Sequence, residues 1–235
     1  MSGRPQRPLA VLIAILALAA PTLAAPAGAG VARIPAMQEL VVLRRAHPAR
    51  AAPSVHSQRL VVVPALTPIT ESRTVLPVLA RQGIWLKVRL PGRPNGRTGW
   101  IDRASTSWAF TPWWIVVDRA RRRVTVYRSG RTVRSFAAVV GKPSTPTPRG
   151  EFFVEESIAL RPGDVGAPFA LALSARSNVL QEFDGGPGQI ALHGLDNVGG
   201  VLGTAASHGC VRLADTAMRW LVARIAPGTP VTISG

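Results

Sequence analysis

The chain has 235 residues, 47% of them hydrophobic, which excludes a disordered polymer and allows one good core with a smaller module beside it. Lys and Arg number 28 against 12 Asp and Glu, a formal charge of +16, and the single cysteine, Cys210, excludes an internal disulfide. The charge is scattered and nearly all arginine, with only Lys87 and Lys142 as lysines, and no nucleic-acid motif organises it. It reads either as a solvated arginine bias or as a background attraction to anionic envelope polymers, and nucleic acid is not expected as a partner.

In chain order, Arg4 and Arg7 precede an apolar run at residues 9–20, and small residues follow Pro21. Thr22 and Ala24 fit the −3 and −1 positions of a signal-peptidase site, so residues 1–25 read as an export signal cleaved near Ala24 and Ala25. The run is shorter than the ~20 residues that span a bilayer, which disfavours the alternative of an uncleaved anchor. No cysteine follows it to accept a lipid. The expected destination is the periplasm or cell wall.

Residues 26–55 are rich in Ala, Pro and Arg and read as a linker or arm, with one short strand at MQELVVL. His47 and His56 fall there without a motif. Residues 56–106 change to short apolar runs separated by turn residues, a small β segment. Within it RLPGRPNGRTGW has the form of a hairpin, turning at Pro94, Asn95 and Gly96 between Trp85 and Trp100. WLKVRLPGRPNGRTGWI resembles the end of a bacterial SH3-like domain. TSWAFTPWW reads as a connector into residues 112–235.

That last region is predicted as mostly antiparallel β. WWIVVD, RVTVYR and TVRSFAAVVG alternate, a Pro- and Gly-rich loop GKPSTPTPRG leads to a strand at residues 151–156, and QIALH makes another at residues 189–193. Asp215 is placed to cap a helix TAMRWLVARIA, closed by Pro227 and Gly228, with VTIS as the last strand.

The chemistry concentrates in ALHGLDNVGGVLGTAASHGCVRL. A lone thiol in an exported chain is inert and buried, bonded to another molecule, or reactive. To attack an acyl carbon it needs a base, and His193 lies 17 positions upstream at the end of the QIALH strand. No Asp or Asn occupies an obvious third position, but the Gly194 carbonyl can accept the Nδ1 hydrogen. Gly209 permits unusual backbone angles, and amides near Gly209 and Cys210 can point inward as oxyanion donors. The rival reading is a zinc site of His193, His208 and Cys210, disfavoured because no carboxylate supports either histidine in sequence. No metal or other cofactor is expected.

Residues 114–233 resemble the L,D-transpeptidase (YkuD) catalytic domain of bacterial cell-wall enzymes. The resemblance rests on His193, then thirteen residues, then Ser207-His208-Gly209-Cys210, with Arg212 two positions on. It is reinforced by IVVDRARRRVTVYRSGRTVRSFAAVVGKPSTPTPRGEF, similar to the family's opening hairpin and its TPTP-G turn. The spacer is one residue shorter than the family pattern. The resemblance implies a β-sandwich with one helix after the cysteine. It also implies Cys210 as nucleophile, His193 as general base and then acid, and Gly194 as its orienting carbonyl. His208 and Gly209 would shape the oxyanion pocket, and Arg212 would hold a substrate carboxylate or support the loop. Ser207 would take part in the pocket or simply hydrogen-bond that loop.

The implied activity is acyl transfer from a peptidoglycan tetrapeptide stem, through a Cys210 thioester, to an amine on another stem or a different acceptor. The alternatives are an L,D-carboxypeptidase or related wall hydrolase giving the same thioester to water, and a non-catalytic wall-binding protein. A monomer is expected.

Overall fold

The computed structural model describes residue 1, residues 33–182 and residues 186–235. The expected export signal lies almost wholly in residues 2–32, outside them. Seven strands occupy the first half: β1 (Gln38–Leu43), β2 (His47–Arg50), β3 (Arg59–Val63), β4 (Val75–Gln82), β5 (Trp85–Arg89), β6 (Thr98–Asp102) and β7 (Thr106–Thr111). They form one sheet in the order β3-β2-β6-β5-β4-β1-β7. The alternating residues Leu86 and Val88 of β5 face inward with Val41, Leu43, Leu76 and Ile101, all buried in one cluster. The hairpin expected around Pro94–Gly96 is present, with Trp85 opposite Asp102 and Arg89 opposite Thr98.

Two expectations are corrected here. The short strand expected at residues 37–43 is present as β1, but the linker reading fails beyond it and around it, because β1 pairs with both β4 and β7 and β2 pairs with β3 and β6. Composition concealed β2: in HPAR the inward residues are His47 and Ala49, neither of which stands out as apolar in an Ala/Pro/Arg-rich stretch. His47 is buried, its two ring nitrogens 2.8 Å from the carbonyls of Arg45 and Ala104. Within the connector TSWAFTPWW, Thr106–Thr111 is likewise an edge strand, β7, paired along its whole length with β1, and Trp113 and Trp114 already open the next strand.

The second half contains β8 (Trp113–Asp118), β9 (Arg123–Arg128), β10 (Arg131–Ala137), β11 (Val140–Gly141), β12 (Gly150–Ala159), β13 (Phe169–Arg176), β14 (Gln189–His193), β15 (Ala205–Ser207), β16 (Val211–Arg212), α1 (Asp215–Val222) and β17 (Pro230–Ser234). Eight strands run β10-β9-β8-β17-β12-β13-β14-β16, and β11 pairs in parallel with β15. The terminal strand β17 inserts parallel to β8 and antiparallel to β12. Ile115, Val117, Val124 and Val126 share one buried cluster with Leu171, Leu173, Ile190 and Leu192, and Met218 and Leu221 of α1 join it. The sheet thus folds over itself like a sandwich.

β13 has no counterpart among the expected strands. FALALSAR is buried on both faces over residues 171–175, so it lacks the alternation that betrays a half-exposed strand. The helix also differs. Its N-cap is Ala214 with no side-chain cap bond, it ends at Val222, and Asp215 accepts instead from the Leu195 amide at 3.3 Å.

Strand β12 serves both cores. Phe152 and Val154 enter the second cluster, while Phe153 between them points the other way and belongs to the first. Polar links reinforce the contact: Arg89 Nη1 donates to Glu151 O at 3.0 Å, and the amide and hydroxyl of Thr70 both donate to Glu156 Oε2, at 2.7 and 2.8 Å.

Candidate active site

Strand β14 is where the sheet becomes useful. It pairs antiparallel with β13 and in parallel with β16, the register placing His193 beside Arg212 and Leu192 beside Val211. Alternation buries Leu192 and turns His193 to a small cleft of about 90 Å³. Because Cys210 immediately precedes β16, the same pairing brings it to that cleft. His193, His208, Cys210 and Arg212 all line it, with Ser177 and Leu180 contributed from beyond β13.

His193 Nδ1 lies 2.8 Å from Gly194 O. A carbonyl only accepts, so Nδ1 carries the hydrogen and Nε2 is left as the basic nitrogen. Burial pushes the imidazole pKa below its ordinary value; the Gly194 carbonyl opposes this, and nearby Arg212 adds to it. Cys210 is half-buried, its sulfur 4.0 Å from Gln189 O. Burial raises the thiol pKa, partly offset by the Ala191 amide and by Arg212. Both shifts favour a neutral thiol beside a neutral imidazole at rest.

The Ser-His-Gly-Cys turn is built around Ser207. Its hydroxyl donates to Cys210 O at 2.6 Å and accepts from the Gly209 amide at 3.2 Å. Gly209 has φ +126°, a conformation side chains rarely adopt, and a Cβ there would press on Ile190 Cδ1 at 3.0 Å. The expectation of an inward Gly209 amide is corrected, since that N–H is already committed to Ser207; the Cys210 amide is not engaged by that hydroxyl. His208 is exposed, its Nε2 3.5 Å from Lys142 Nζ. Arg212 Nη1 donates to the carbonyls of Val198 and Gly199, at 3.0 and 3.2 Å, and so ties down the glycine-rich loop. Among the described residues no group of three or more His, Cys, Asp or Glu could hold a metal ion.

Two contributors went unassigned in the sequence. Ser207 O accepts from the Lys142 amide at 2.9 Å and from Thr145 Oγ1 at 3.3 Å, so the TPTP turn seats the cysteine turn from below. The turn was visible as a motif, but not what it holds. Gly166, at φ +83°, packs so closely on the imidazole that a Cβ would meet His193 Nδ1 and Cγ. Its amide donates to Asp196 O and its carbonyl accepts from the Gly194 amide, at 2.7 and 2.8 Å. Only the run PGDVGAP hinted at a tight loop.

Fold and site together define a β-sandwich protein with a cysteine and a carbonyl-oriented histidine at one cleft. Residues 112–233, just over half of the chain, match the model of the YkuD family, the L,D-transpeptidase catalytic domain. The chain is 24% identical over 240 residues to L,D-transpeptidase 1 of Mycobacterium tuberculosis, covering 87% of this chain and 89% of that protein. It is 30% identical over 126 residues to a YkuD protein of Bacillus licheniformis, covering 52% of this chain and 66% of the relative. Among solved structures, L,D-transpeptidase 3 of Mycobacterium tuberculosis with a faropenem-derived adduct is similar at TM-score 0.46 and 14% identity, over 69% of this chain and 91% of that one. The protein belongs to the YkuD family of L,D-transpeptidases, and is an enzyme of that class.

Proposed function

We propose that the protein is an exported acyl-transferase that cuts the tetrapeptide stem of peptidoglycan before its terminal D-alanine and passes the acyl group to an amine. The observation that carries this reading is that His193, oriented by Gly194 O, and Cys210 line one cleft. As the Cys210 sulfur attacks the carbonyl of the third stem residue, its proton passes to His193 Nε2. Neutral partners at rest suit this, because the imidazole is free to accept. The tetrahedral oxyanion forms beside the Cys210 amide, the donor on this turn that Ser207 does not occupy. Its collapse breaks the bond to D-alanine, whose nitrogen takes the proton from His193 and leaves a thioester. An incoming amine then attacks the thioester, gives its proton to His193, and the imidazole returns it to sulfur. Arg212 and Ser207 hold the loop and turn in place while this happens. Export, indicated by Arg4, Arg7 and the apolar run that follows, puts the enzyme where such stems are.

The test is mass spectrometry of products from a defined disaccharide-tetrapeptide. Cross-linked dimer is expected. Tripeptide alone would make the protein an L,D-carboxypeptidase, and unchanged substrate would overturn the reading. A carbapenem is expected to add its mass to the intact protein at Cys210; an unchanged mass would count against the thioester.

A further inference from the structure

The first sheet reaches the cleft through its hairpin. The turn at residues 90–97, between β5 and β6, lies against the segment that follows β13. Arg93 Nη2 donates to Ser177 O at 2.8 Å and Leu180 O at 3.1 Å, and its Nη1 donates to Pro187 O at 2.9 Å. Asn95 makes a two-way pair with the backbone of Arg176: its Nδ2 donates to Arg176 O at 2.7 Å and its Oδ1 accepts from the Arg176 amide at 2.8 Å. Nδ2 also reaches Asn178 Oδ1 at 3.0 Å.

What these bonds hold is a wall of the active site. Ser177, Leu180 and Gly188 line the same cleft as His193 and Cys210. Ser177 N donates to Gly188 O at 2.8 Å, and Ser177 Oγ accepts from the amides of Val179 and Leu180, at 3.2 and 3.0 Å. Ser177, Leu180 and Pro187 converge their carbonyls on one guanidinium. Without it these oxygens lose a charge-assisted donor that only a planar fork can supply together. The reacting groups have further supports of their own, Ser207 for the cysteine turn and Gly194 and Gly166 for the imidazole.

We propose that Arg93 and Asn95 are positioning residues for acyl-donor binding: the hairpin of the first sheet sets the wall formed by Ser177, Leu180 and Gly188. This rests on the reading of the cleft as the acyl-donor site. The division of labour is specific. The second sheet supplies the reacting groups, and the first sets the shape of the groove that receives the stem.

The experiment compares wild type with Arg93→Ala and, as an independent break of the other contact, Asn95→Ala. Each is assayed for KM and kcat on the disaccharide-tetrapeptide and for amide hydrogen exchange at Val179 and Leu180. Melting temperature is followed so that only folded variants are compared. Each variant should raise KM about tenfold with kcat within about twofold, and speed exchange at Val179 and Leu180 about tenfold, since a displaced wall weakens binding rather than chemistry. Arg93→Lys should recover little, because an ammonium cannot reach the carbonyls as a fork. Wild-type KM and unchanged exchange in folded variants would overturn the proposal, as would a fall in kcat at constant KM. Should wild type itself fail to turn over the stem, the functional reading fails, and exchange alone then decides whether the hairpin holds the wall.

Discussion

The two sheets are alike in materials and unlike in interruptions. Each buries a tight aliphatic cluster, and each is antiparallel for most of its extent. In the first every strand pairing is antiparallel, and its buried histidine, His47, has both ring nitrogens 2.8 Å from carbonyls. The second has two parallel pairs, β8 with β17 inside the sheet and β14 with β16 at its edge, where a loop and a tight turn carry the chain between the strands. His193 keeps one ring nitrogen uncommitted there, and the only thiol enters beside it. Chemistry appears where a regular sheet stops satisfying its own groups, not where it packs best.

Replacing the reacting sulfur is the largest break in that contrast. Cys210→Ala should remove turnover by about four orders of magnitude or more, with circular dichroism and melting unchanged, because the half-buried site loses one atom and no core contact. Retained turnover on purified muropeptides would move the chemistry elsewhere.

Phe153→Ala tests whether the sheets are energetically separate. Although it lies on β12, its ring fills the first core, so the change should cost about 3–5 kcal/mol in denaturant melts. A loss below about 1 kcal/mol would mean that the first core tolerates the cavity by collapsing.

Gly166→Ala sharpens the contrast at the imidazole. A methyl there meets the ring and should lower kcat by about a hundredfold while Cys210 remains titratable as a free thiol. The smallest effect is in the pH profile. His193 must be neutral to accept the thiol proton, and burial lowers its pKa, so activity should fall only as pH drops below the ordinary histidine value of about 6.5. A rate already halved above that pH would show the imidazole to be more solvated than its burial implies.

Sequence made the reacting pair legible because its parts are local: QIALH ends a strand, Gly194 is the next residue, and Ser-His-Gly-Cys is contiguous. The same holds for the β5–β6 hairpin, whose turn residues announce themselves. It failed where burial erases pattern. β13 is covered on both faces and shows no alternation, and β2 hides a histidine and an alanine inside a proline-containing run. It failed also where function depends on distant partners. Nothing local links Arg93 with Leu180, 87 residues on, or Gly166 with the ring it presses. The Gly209 amide was misjudged because its partner, the Ser207 hydroxyl two residues away, depends on turn geometry that composition does not show.

The place of Phe153 on β12 also governs how the molecule can be divided. A protease or an engineer cutting at Pro112 would sever one peptide bond but leave a bare phenyl ring, the Glu156 carboxylate stripped of Thr70, and Arg93 carried off with the other piece. Such a fragment would keep every reacting atom and yet be sticky, mis-shaped at its groove and hard to keep in solution. In this chain, then, the family span of residues 112–233 stops short of residues on which its own groove wall and shared strand depend.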